Sequence, residues 1–147
     1  MEVGMKKYVG LWIDHAKTVF VTIETGNGNL TENETITKLE SDVEPHLRLA
    51  GGSRSATPYG PEDVVSDKTP EERRKHELHR YYQKVLRALW DADRVYIMGP
   101  GEAPRELAEE IRSNQQLAPR LLDVRKTDKM TDRQIAAEVR KRFGVTI

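Results

Sequence analysis

The stretch that most constrains the fold is "YVGLWID", Tyr8 to Asp14. Side chains along a strand alternate between faces, which puts Val9, Leu11 and Ile13 on one side and Tyr8 and Trp12 on the other. A strand that is apolar on both faces is covered on both, and therefore belongs in the middle of a sheet. "TVFVTI" (Thr18 to Ile23) follows after a short polar connection, and "TGNGN" then supplies a turn whose glycines and asparagines tolerate positive φ. The third run, "LTENETITKL", is rich in threonine and polar on both faces, as suits a solvent-exposed edge strand. Three antiparallel strands open the domain.

Beyond a long connection, Thr69, Pro70 and Glu72 fall at the cap, first and third positions of a helix, a capping box with a proline start. Leu78, Tyr82, Val85, Leu86 and Leu89 recur on one face of that helix and Arg73, Arg80, Lys84 and Arg87 on another. "RVYIMG" reads as a buried strand, "GPGEAPRELAEEIRSN" as a glycine turn and helix, and "RLLDV" as a strand. "TDRQIAAEVRKRF" is a last helix, with a second capping box at Thr131 and Gln134 and a stop at Gly144. The order is βββαβαβα. Right-handed crossovers place the fourth and fifth strands parallel to the first, which predicts an α/β fold with a five-stranded mixed sheet ordered 3-2-1-4-5 and flanked by helices, the ribonuclease-H-like arrangement.

A chain of 147 residues fits one domain, spanning 1–147, with a long mobile loop at about 40–68. Its apolar runs fall far short of the roughly 20 residues that span a bilayer, so no membrane partner is expected. The absence of cysteine removes disulfide and thiolate chemistry, and the start "MEVGMKKYVG" lacks the apolar core of a secretory signal. The expected location is the cytoplasm. Net charge is zero, yet residues 1–45 carry four Lys/Arg against eight Asp/Glu while residues 46–87 carry nine against six. The positive charge is local rather than global.

A ribonuclease-H-like fold invites a search for a two-metal nuclease site, which needs carboxylates converging at one end of the sheet around ions about 4 Å apart. Asp14 ends the first strand, but the fourth strand ends in Met98, Gly99 and Pro100; Asp91 and Asp93 lie at the wrong end, and Asp123 lies inside its strand. Asp14 instead suits a turn, accepting backbone N–H groups. His76 and His79, with His15 and His46 elsewhere, make a poor zinc site beside so many cations and without cysteine. "GPGEAP" has the position of a phosphate cradle but not the glycine spacing of a nucleotide fingerprint, and Glu102 opposes an anion. No nucleophile, metal or cofactor is expected.

The connection and the basic helix remain. Gly51 and Gly52 give a loop tip backbone freedom, and Ser53 and Arg54 give it donors. The helix that follows supplies Arg73, Arg74, Lys75, Arg80, Lys84 and Arg87 as a positive rail. Structured RNA, recognised largely through phosphates and 2′-hydroxyls, suits that combination.

Three segments, "VGLWIDHAKTVFVTI", "GGSRSATPYG…EERRKHELHRYYQKVL" and "RVYIMGPGEAPREL", resemble the middle domain of archaeal and eukaryotic peptide-chain release factors and of the ribosome-rescue factor Pelota. The resemblance runs from about Tyr8 to Phe143. In release factors a Gly-Gly-Gln loop tip enters the peptidyl-transferase centre and promotes hydrolysis of peptidyl-tRNA. Gly51 and Gly52 match the two glycines, but Ser53 stands in place of the glutamine, which the rescue branch also lacks. In a chain of 147 residues, those factors' codon-reading and GTPase-recruiting domains are expected to be absent. The resemblance therefore implies a non-enzymatic, translation-associated protein facing the ribosome, tRNA or another structured RNA. Two alternatives stay open: a hydrolase of nucleic acid or peptidyl-tRNA on the same fold, and a protein-interaction module or homo-oligomer built on the polar edge strand.

Overall fold

β1 (Lys6–Ile13) occupies the centre of a five-stranded sheet, the position its two apolar faces require. The computed structural model describes residues 5–26, 30–43 and 69–145. β1 pairs antiparallel with β2 (Lys17–Thr25), which pairs antiparallel with β3 (Thr31–Glu40). On its other side β1 pairs parallel with β4 (Arg94–Gly99), and β4 with β5 (Leu121–Lys126). The order is β3-β2-β1-β4-β5, as expected. The polar β3 lies at an edge, where a strand has only one neighbour to satisfy.

α1 (Pro70–Ala88) and α2 (Ala103–Arg112) cover one face of the sheet, and α3 (Asp132–Phe143) covers the other. Under α1 and α2 lie Val9, Leu11, Ile13, Phe20, Val95 and Ile97, packed against Tyr81, Tyr82, Val85, Leu89, Leu107 and Ile111. Under α3 lie Trp12, Val19, Val21, Ile23, Tyr96 and Met98, packed against Ile135, Ala136 and Val139. Taking a side chain such as Leu11 or Ile13 fully out of water contributes about 1.5–3 kcal/mol, so both layers are needed to hold the central strand. Gly10 makes the α3 layer possible: a Cβ there would run into the Val139 side chain.

Both capping boxes form. Glu72 N donates to Thr69 Oγ1 at 3.1 Å while Thr69 N donates to Glu72 Oε1 at 3.3 Å. Gln134 N donates to Thr131 Oγ1 at 3.1 Å, and Thr131 N to Gln134 Oε1 at 2.9 Å. α3 stops at Gly144, whose φ of 65° is the left-handed conformation that a C-cap glycine adopts without steric cost. The loop tip Gly51, Gly52, Ser53 and Arg54 and the expected mobility of the connection lie outside the described residues. Among the described residues no helix is long and apolar enough to cross a membrane.

Candidate functional site

α1 has two opposed faces. Tyr81, Tyr82, Val85, Leu86 and Leu89 are buried, and Leu78 is half-buried beside them. Arg73, Arg80, Lys84 and Arg87 are exposed on the other side, at the three- and four-residue spacings that align side chains along a helix. From Arg73 to Arg87 this stripe runs about 21 Å at 1.5 Å per residue. Lys84 Nζ lies 3.7 Å from the carboxylate of the highly exposed Asp42, a contact too solvated to hold the cation firmly. Among the described residues the side chains of Arg80 and Arg87 have no ion-pair or hydrogen-bond partner. Glu40, Asp42 and Glu77 border Arg80 and Lys84 around a shallow depression. Arg87, ten residues beyond Glu77, lies about 15 Å further along the axis. The positive field is therefore least opposed toward the C-terminal end of the helix.

Two of the six cations expected on the rail sit elsewhere. Arg74 and Lys75 lie seven residues before the buried Tyr81 and Tyr82, two turns back on the same side of α1. Arg74 Nη2 approaches His15 Nδ1 at 3.4 Å, and His15 Nε2 lies 3.0 Å from Glu106 Oε1. Tyr82 donates its hydroxyl to the same oxygen at 2.6 Å. This chain of four favours the imidazole tautomer with its proton on Nε2, since the guanidinium only donates and the carboxylate only accepts. Burial pushes the Tyr82 phenol up, and the hydrogen bond to Glu106 raises it further. Burial likewise raises Tyr81, which hydrogen-bonds Thr18 Oγ1 at 2.7 Å and donates to the carbonyl of Asp14 at 3.0 Å. Both phenols stay protonated donors at neutral pH and join α1 to the β1–β2 turn and to α2. Lys75 lines an open groove of about 380 Å³ between α1 and α2, together with Leu78, Tyr82, Glu106 and Glu109.

Among the described residues Asp14, Asp91, Asp93 and Asp123 do not converge on one site. Asp14 Oδ1 accepts from the backbone N–H groups of Ala16 and Lys17, each at 2.8 Å, the turn role its position suggested. Asp91 pairs with Lys7 at 2.9 Å, Asp93 accepts from the Lys7 N–H at 2.8 Å, and Asp123 pairs with Arg142 at 3.2 Å. His79 faces Glu110 at 3.1 Å. Among the described residues no three His, Asp or Glu side chains are placed to hold a metal ion. At the start of α2, Glu102 makes no side-chain capping bond and pairs with Arg105 at 2.6 Å. That guanidinium holds its carboxyl below the usual carboxylate range, so a negative charge persists where a phosphate cradle needs none.

The sequence matches no protein-family profile and no curated protein. Among solved structures, Pelota of Thermoplasma acidophilum matches at 12% identity over 93% of this chain and 32% of that one, with a TM-score of 0.52. The fold is similar to that of part of Pelota. Pelota of Archaeoglobus fulgidus matches at 13% identity, over 92% of this chain and 31% of its own, with a TM-score of 0.49. The archaeal translation termination factor aRF1 matches at 11% identity, over 94% and 39% of the two chains, with a TM-score of 0.42. This chain thus spans about a third of the length of the Pelota chains. The likeness bears out the resemblance drawn from the three sequence segments at the level of the fold.

Proposed function

We propose that this protein is a translation-associated RNA-binding domain that docks on the ribosome, tRNA or another structured RNA through the outer face of α1. The observation that carries this reading is the exposed stripe Arg73, Arg80, Lys84 and Arg87, in which the side chains of Arg80 and Arg87 lack partners among the described residues. Such cations bind phosphates chiefly by releasing condensed counterions, with little dependence on base sequence. Arg74 and Lys75 take no direct part: the first contacts His15, and the second lines the α1–α2 groove. By the resemblance, Gly51, Gly52, Ser53 and Arg54 would be the loop tip sent into a ribosomal cleft, without the glutamine that marks hydrolytic members.

The test is co-sedimentation with ribosomes over a salt series, comparing the protein with Arg80→Gln/Lys84→Gln/Arg87→Gln. Wild type should bind in a salt-sensitive manner, and removing three phosphate contacts should flatten the log–log salt dependence by about 2–3 units. If wild type stays in the supernatant even at low salt, the likeness to translation factors is one of fold only.

A further inference from the structure

The chain has two tryptophans, and the structure treats them oppositely. Trp12 is buried in the α3 layer and donates its indole N–H to the carbonyl of Asp128 at 3.1 Å. Trp90 is 53% exposed, just past the C-terminal end of α1. Its side chain is displayed, yet its backbone is fixed. Trp90 N donates to Arg87 O at 3.3 Å, and Arg120 Nη1 donates to the carbonyls of Trp90 at 2.9 Å and of Ala92 at 3.1 Å. Leu89 and Ala92 on either side are buried, and Asp93 N donates to Lys7 O at 2.7 Å. A rigid mount that holds a large aromatic ring in water lowers the ordering cost of any ligand that stacks on it.

The charges nearby indicate the ligand. Arg87 precedes Trp90 by three residues, so the two side chains share a surface, and Arg94 is exposed at the start of β4. The acidic neighbours are engaged, Asp91 with the Lys7 ammonium and Asp93 with the Lys7 N–H. An indole at the foot of a cationic helix face matches a polyanion that also carries flat apolar rings. In a duplex those rings stack on one another, so only an unpaired base could reach the indole.

We propose that Trp90 is a stacking platform for an unpaired base of the RNA that the α1 stripe carries, with Arg87 on the adjoining phosphate. The inference rests on the RNA-binding reading above and narrows it to an RNA with a single-stranded nucleotide beside a structured segment. Its test uses the full chain and two RNA hairpins of identical stem and identical, internally stacked tetraloop, one blunt and one with a single-stranded tail. Because Trp12 is buried, quenching of tryptophan emission reports on Trp90. The tailed hairpin should quench and the blunt one should not. Trp90→Ala should weaken the tailed hairpin about five- to a hundredfold, the span of base–aromatic stacking, and leave the blunt hairpin and the thermal midpoint unchanged. Trp90→Phe should restore much of the loss. If Trp90→Ala binds the tailed hairpin like wild type, stacking is overturned while the α1 reading stands. If wild type binds neither hairpin nor ribosomes, both fall. If Trp90→Ala weakens only ribosome co-sedimentation and neither hairpin, Trp90 touches a protein, and base stacking is overturned.

Discussion

α1 and α3 are both basic helices that begin with a threonine capping box and bury one side on the same sheet. Yet α3 commits Arg140 and Arg142 to carboxylates of the sheet, leaving Arg133 and Lys141 exposed, while the outer cations Arg80 and Arg87 of α1 are committed to none. α3 is tied to both edge strands. Arg140 grips Glu34 of β3 with two bonds of 2.9 Å, and Asp132 meets Lys38 of β3 at 3.0 Å. Arg142 reaches Asp123 of β5 at 3.2 Å, and Glu138 meets Arg125 of β5 at 3.2 Å. α1 turns Arg80 and Arg87 away from the sheet, and neither forms an ion pair among the described residues, although Glu40, Asp42 and Glu77 border Arg80. A basic helix in a sequence is therefore not yet a basic surface. What decides is whether the neighbouring strands present acidic residues at matching heights.

Three perturbations would break or sharpen that contrast. The largest is Gly10→Val, which drives a branched side chain into Val139 and lifts α3 off β1. Overpacking of this kind costs about 3 kcal/mol, read by urea unfolding, while RNA binding by the folded fraction should persist. Proportionate loss of binding would show that the two faces are coupled. Next is Tyr82→Phe, which removes the hydroxyl that donates to Glu106 at 2.6 Å and should cost about 1–2 kcal/mol at neutral pH. It also changes the alkaline limb of stability. The folded state holds Tyr81 and Tyr82 protonated above the pH, about 10, at which the unfolded chain ionises them. Their contribution is full below pH 10 and declines as pH rises further, and the variant should decline less steeply. An unchanged slope would mean that Tyr82 ionises freely in the folded protein. The smallest effect separates the two kinds of cation. Arg140→Gln should lose about 1 kcal/mol and leave RNA binding alone, whereas Arg87→Gln should stay within about 0.5 kcal/mol of wild type and weaken binding. The reverse pattern would exchange the roles assigned to the two helices.

Most of the fold was legible because its signals are local. Two-sided burial of Tyr8–Ile13 marks the central strand, and the Thr69 and Thr131 boxes mark helix starts to the residue. The handedness of crossovers supplies the rest of the order. The site was legible only in part. Grouping six cations by proximity in sequence placed Arg74 and Lys75 on the outer rail, although their seven-residue spacing from Tyr81 and Tyr82 puts them on the other side of the helix, Arg74 half-buried and Lys75 exposed over the α1–α2 groove. The chain from Arg74 through His15 and Glu106 to Tyr82 was not legible at all. His15 and Glu106 lie 91 residues apart, and only the parallel pairing of β1 with β4 brings their elements together. The exposure of Trp90 was not read from the sequence either, although Trp90 falls outside the apolar set Leu78, Tyr82, Val85, Leu86 and Leu89.

The pairing of β1 with β4 also bears on how the chain reaches its fold and how it can vary. Val9 lies opposite Val95, so this ladder closes only after the whole intervening chain has been gathered, whereas β1, β2 and β3 join through short turns. Folding should therefore be limited by one long-range closure, the slow step expected of topologies with distant contacts. The entropy of such a closure grows only with the logarithm of the length enclosed, about 0.6 kcal/mol per doubling. The stretch between Glu40 and Pro70 can thus lengthen, shorten or change composition over evolutionary time at little cost to assembly of the sheet.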